Sequence, residues 1–212
     1  MNIEKPINTV SNLLDLLNVL NAEIETVDIK GKFSTIAKEL MCNYQIVSVS
    51  GKKFNIHEIE FYFFSSKHPD TSVHHHNMKA GHWRVHYSGL DITFNGCTYL
   101  DDTCKNKKCI DSKLSSYGGI LIRSIGNSEN LIIGPLRVQT TLLSGGNISG
   151  SKGLFLEENI GCNNIQELNT STRCGVKIAN NFEKEDYCYF NENLLSNSPK
   201  SDGTTTRIAK KI

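Results

Sequence analysis

Glu58, Glu60 and Tyr62 stand two residues apart in the run IHEIEFYFF, residues 56–64. On a strand, side chains alternate between faces. Two carboxylates, a phenol and Phe64 would then look into one space, while His57, Ile59, Phe61 and Phe63 look into another. A carboxylate in such a space can take a proton from water or stabilise a developing positive charge. The other reading is a solvated strand face. Tyr62 and Phe64 on the acidic side argue against full exposure.

All seven histidines fall between residues 57 and 86: His57, His68, His74, His75, His76, His82 and His86. Imidazoles titrate near neutrality, so a loop carrying them beside paired carboxylates suggests acid–base chemistry or a metal. Metal ligation is the weaker reading. His82 and His86 have the i,i+4 spacing that chelates on a helix, but HWRVHY reads as strand. His74, His75 and His76 point in different directions. A loop-anchoring role is expected for most of them, and no metal is assigned. The seven cysteines are irregularly spaced. Cys97, Cys104 and Cys109 lack a fourth zinc ligand at a standard interval, and no local signature marks a thiol nucleophile. LSGGNISGSKG lacks the ending of a phosphate-binding loop. Arg123, inside GGILIRSI, needs a carboxylate partner if it is buried. Otherwise it reaches solvent from a strand end.

These residues need elements to position them. Val10, Leu13, Leu14, Leu17 and Leu20 recur at helical spacing, and a second helix is expected over 34–41. Residues 44–64 read as a hairpin turning at GKK. Residues 65–82 form a long polar loop. HWRVHYSGLDITF returns as strand, with Ser88-Gly89 as a turn or bulge. Residues 95–117 look like an exposed insertion, and YGGILIRSI is a buried strand. Gly134 and Pro135 suit a helix start, with Val138, Leu142 and Leu143 facing the core. After a Gly/Ser-rich loop, a helix and two strands, RCGVKIA and YCYF, are expected. The class is α+β with a mainly antiparallel sheet.

A chain of 212 residues with 38% hydrophobic content suits one domain. We assign residues 1–196 to it, with 1–33 as an N-terminal helical extension and 197–212 as a flexible tail. The net charge of +1 gives nucleic-acid binding no help from bulk charge. No signal-peptide pattern and no long apolar run is present, so a cytoplasmic protein with free thiols and no membrane partner is expected. Oligomeric state is not legible.

Read in order, the pieces resemble the alkyladenine (3-methyladenine) DNA glycosylase family, in a divergent bacterial branch. Glu58-Ile59-Glu60-Phe61-Tyr62 is similar to that family's Glu-Thr-Glu-Ala-Tyr motif. AGHWRVHYSGLDITFN resembles its next strand pair, GGILIRSI its Leu-Leu-Arg-Ala strand, and IIGPLRVQTTL its Gly-Pro-x-x-Leu helix start. STRCGVKI and YCYFNENLLS resemble its closing segments. The likeness covers about residues 34–196. It implies a curved antiparallel sheet flanked by helices, like the barrel of the formyltransferase C-terminal domain. It implies hydrolysis of the base–sugar bond of a modified purine nucleotide in DNA, without a cofactor. Glu60 would be the general base and Arg123 would help hold the water. Tyr62 would stack on the base, with one of His74, His75 and His76 beside it. Asn95 falls where an Asn guards the base pocket. The family's wedging Tyr is Ser88 here, with Tyr87 one position off. That departure and the low charge weaken duplex DNA as substrate. They leave single strands, free nucleosides or nucleotides, or binding without cleavage.

Overall fold

The hairpin expected at 44–64 forms the centre of the fold. The computed structural model describes residues 9–97, 113–146, 153–159, 168–176 and 180–191. Strand β1 (Tyr44–Val47) and the long β2 (Lys53–Phe64) pair antiparallel. Strand β5 (Tyr117–Gly126) lies on the other edge of β2 and is buried at every residue, as its apolar run requires. A second hairpin, β3 (Trp83–His86) and β4 (Gly89–Thr93), adds to β5. Strand β7 (Phe155–Glu158) closes the β1 edge, β6 (Leu131–Ile133) pairs with β5, and β8 (Asn169–Ser171) reaches β2 through β9 (Cys188–Phe190). Among the described residues the result is a curled antiparallel half-barrel with three α-helices, α1 (Thr9–Asn18), α2 (Thr26–Asn43) and α3 (Pro135–Leu143).

Ile59, Phe61 and Phe63 have no exposed surface and form the core with helix α2. The Phe33 ring of α2 stacks on Phe61 at 4.4 Å and meets Tyr187 edge-on at 5.0 Å. Leu13 and Leu17 of α1 complete this layer. The long polar loop is tied down by His68, which is fully buried between the Phe63 carbonyl at 2.8 Å and the Tyr187 hydroxyl at 2.9 Å.

Simple alternation fails at one place, and the site depends on it. Ile56 lies opposite Ile125, Glu58 opposite Ser124, and Ile59 opposite Ile122. His57 on β2 and Arg123 on β5 therefore each fall between paired positions, so the register slips by one residue at this bulge and is restored by Ile59. Ile56, and not His57, joins Ile59 in the core, and Ile125 joins Ile122 there instead of sharing the Arg123 side. Arg123 and Ser124, adjacent in sequence, both reach Glu58.

Four other expectations are corrected. Helix α2 begins at Thr26, well before residue 34. Leu143 is exposed while Val138 and Leu142 are buried. Residues 155–158, where a helix was expected after the Gly/Ser-rich loop, form strand β7 and pair with β1. The strand preceding β9 is 169–171, and Arg173–Val176 form a turn segment instead of a strand. The 197–212 tail, the centre of the 95–117 insertion, part of the Gly/Ser-rich loop and residues 1–8 of the N-terminal extension lie outside the described residues.

Candidate functional site: a buried carboxylate pair beneath a cavity

The bulge brings two acids and one base together. Glu58 and Glu60 are both fully buried. Arg123, 8% exposed, donates through Nε to Glu58 Oε1 at 3.2 Å and through Nη1 to Glu60 Oε2 at 3.1 Å. Ser124 Oγ donates to Glu58 Oε2 at 2.8 Å, and the Cys188 thiol lies 3.4 Å from Glu58 Oε1. Glu60 accepts two further bonds, from the Tyr62 hydroxyl at 2.8 Å to Oε2 and from the Cys174 amide at 2.7 Å to Oε1. Buried carboxylates demand this degree of satisfaction. Arg123 and the acidic face of β2 are therefore interior and do not reach solvent as a strand end or a solvated face would.

A second ion pair lies alongside. Arg173, fully enclosed at its side chain, donates to Asp70 Oδ2 at 2.6 Å and to the Phe61 carbonyl at 3.2 Å. Its guanidinium lies 4.7 Å from the centre of the Tyr62 ring. Ser72 donates to the other Asp70 oxygen through both its amide and its hydroxyl. Asp70 and Arg173 balance each other, whereas Glu58 and Glu60 share a single guanidinium. With both carboxyls ionised, the Arg123 cluster carries one formal negative charge.

Above this cluster opens a cavity of about 400 Å³, a volume that suits small organic ligands. Tyr62, Arg123 and Cys174 are part of its wall, together with Ser72, His74, Gly118 and Gly119. The β3–β4 hairpin contributes Arg84, His86, Tyr87 and Asp91, and the start of α3 contributes Pro135. Glu60 does not line the cavity; it lies behind Tyr62 and Arg123, which bond to it and do. His86 Nε2 lies 2.9 Å from Asp91 Oδ2 but is not aligned for a hydrogen bond.

Of the sequence candidates, Arg123, Tyr62, His74 and Tyr87 meet at the cavity wall, where the Tyr87 hydroxyl and His74 Nε2 lie 2.9 Å apart. His76 supports the wall from behind: its ring contacts the Gly118 carbonyl at 2.8 Å and accepts from the Met78 amide at 3.1 Å. His75 is exposed beside Tyr117, and Asn95 is exposed and absent from the wall. Asp70, Ser72, Arg173 and the Cys174 amide are functional groups that the sequence does not single out. Asp70 and Ser72 sit in a polar loop like any other, and a backbone amide carries no sequence signal.

Burial, and then the Glu60 carboxylate, push the Tyr62 phenol well above its ordinary pKa, so it stays a hydroxyl. Burial works against the Arg123 charge, but the Glu60 carboxylate beside it holds that pKa up. Burial also raises both thiols, Cys188 most strongly, which leaves them poor nucleophiles. His74 and His76 are lowered by burial first and by the Arg84 charge after it.

Among the described residues, the potential metal-ligand atoms that converge are those of Glu58, Glu60 and Cys188. The Arg123 guanidinium already bonds to both of those carboxylates and supplies the cation there. No helix in the described residues is long and apolar enough to cross a membrane. No family model matches the chain, and no curated protein matches its sequence.

Proposed function

We propose that the chain is an N-glycosylase built on an alkyladenine-glycosylase-type sheet, hydrolysing the bond between a modified purine and its sugar. One observation carries the reading: two buried carboxyls share one guanidinium directly beneath a cavity walled by rings. Cleaving a base–sugar bond builds positive charge on the sugar. A fixed negative charge in a water-poor site lowers the energy of that state. Glu60 supplies the charge and the basicity for water, and Arg123 and the Cys174 amide hold it in one rotamer. Tyr62, His74 and Tyr87 supply faces and edges on which a flat base can stack. The curled antiparallel sheet and the in-order motifs support the same family.

The test is release of free base, followed by chromatography, from modified duplexes, single strands and nucleosides. Native protein is expected to release base, and Glu60→Gln to lose about 10²–10⁴-fold in rate. No release from any substrate, or equal release by the variant, overturns the reading.

One observation favours a second reading, in which the cavity binds a nucleoside or nucleotide without cutting it. Both Glu60 oxygens are already taken by hydrogen bonds. Tight nucleoside binding with no turnover would select that reading.

A further inference from the structure

Among the described residues, Glu60 meets the cavity through the groups bonded to it and not directly. Three donors among these residues surround its carboxylate: the Cys174 amide on Oε1, and Arg123 Nη1 and the Tyr62 hydroxyl on Oε2. An amide N–H and a guanidinium can donate a hydrogen bond but have no lone pair with which to take up a proton. A hydroxyl can do both. Tyr62 also lines the cavity, which Glu60 does not. Neither Glu58 nor Ser124 lines the cavity. Glu58 is fully buried, with Oε1 held by Arg123 Nε and the Cys188 thiol and Oε2 held by Ser124 Oγ.

We infer that the Tyr62 hydroxyl is a catalytic proton relay, passing the proton of the attacking water to Glu60. The inference rests on the glycosylase reading above. In the step, the water oxygen gives an electron pair to the anomeric carbon as the carbon–nitrogen bond breaks. The bonding pair leaves with the base. The water proton moves to the Tyr62 oxygen while the Tyr62 proton moves to Glu60 Oε2. Tyr62 ends as it began, and Glu60 ends protonated. A base that entered as a cation leaves neutral, and a neutral base takes a proton from solvent. Burial and the adjacent carboxylate disfavour a free phenolate, so the two transfers occur together. Tyr62 thus has a role beyond the ring that the resemblance implies.

Tyr62→Phe keeps the ring and removes only the oxygen. Single-turnover and steady-state kinetics on an oligonucleotide carrying 7-methylguanine, a cationic leaving group, provide the readout. The relay predicts a loss in kcat of about 10²-fold or more, with KM changed by less than about threefold, as expected when only a transition-state interaction is removed. In mixtures of light and heavy water the native rate follows a bowl-shaped curve, because two protons move. A native kcat and an unchanged solvent isotope effect in Tyr62→Phe, with Glu60→Gln inactive, would overturn the relay and leave the glycosylase reading standing. No base release by the native protein from any substrate would overturn both. If Tyr62→Phe does not fold, the native curve decides: a bowl supports the relay, and a straight line overturns it.

Discussion

At the scale of the residue, the site is a charge arrangement that protein interiors rarely tolerate. Glu58 and Glu60 depend on one guanidinium, and Arg123 in turn depends on them. Removing one partner of a buried pair leaves charge with neither water nor a counter-ion. Arg123→Met should therefore destabilise the fold by about 3–5 kcal/mol, measured by urea denaturation. A loss below about 1 kcal/mol, the scale of an exposed pair, would contradict the buried geometry. His57 carries a different liability. Its Nδ1 is buried with no hydrogen-bond partner among the described residues, and burial lowers its pKa from 6.5 to about 4. The depressed value means the folded state resists a proton that the unfolded chain accepts. Its contribution is whole above about pH 6.5 and is lost as pH falls towards 4, about 3 kcal/mol across that window. Melting curves of native protein and His57→Phe should diverge as pH is lowered through this range. Parallel curves would show that His57 is not the sensing group.

At the scale of the element, the site is made by a bulge and two glycines. Gly118 and Gly119 let β2 and β4 approach β5 closely. A Cβ at Gly118 would collide with the Tyr62 carbonyl, which is backbone and cannot yield. Gly118→Ala should lower stability by about 1–3 kcal/mol and displace Tyr62. A calorimetric melt checks the first effect, and reduced base release the second. The strands themselves were legible: alternation placed Glu58, Glu60 and Tyr62 together, and an apolar run placed β5 in the interior. The bulge at His57 and Arg123 was not legible. A one-residue slip depends on which partner strand lies opposite, and that is information a single strand does not hold. For the same reason Ser124 went unnoticed as a ligand of Glu58. The early start of α2 was hidden by Thr26, Val27 and Gly31, poor helix formers that burial of Ile29 and Phe33 overrides. Strand β7 is recognised only once β1 presents an open edge to it.

At the scale of the whole molecule, the loop that carries the histidines is part of the scaffold as much as of the site. His68 pins it inside, His76 braces β5, and His74 is the member of the cluster that reaches the cavity wall. A clustered composition therefore pointed to the right region, while the division of labour within it required the fold. The near-neutral chain, at net +1, bears on the substrate. Proteins that neutralise 6–10 phosphates lose about 10³–10⁵ in affinity between 50 and 200 mM salt. For this chain the expected loss is about tenfold or less, with oligonucleotides bound little better than the matching nucleoside. Salt titrations of both ligands by fluorescence anisotropy or calorimetry measure it, and a steep slope would reveal a phosphate-binding surface.

The Arg123 cluster, if it acts as proposed, favours positive charge on a sugar held above it. A nucleotide analogue with a pyrrolidine ring places a cation where the sugar charge develops, and its tetrahydrofuran counterpart is the same shape without charge. Calorimetric titration of both into native protein and Glu60→Gln compares the two directly. The pyrrolidine should bind at least about 10²-fold more tightly, as for transition-state mimics generally, with that preference collapsing in the variant. Equal affinity for the two analogues, or a preference that survives loss of the Glu60 carboxylate, would contradict it.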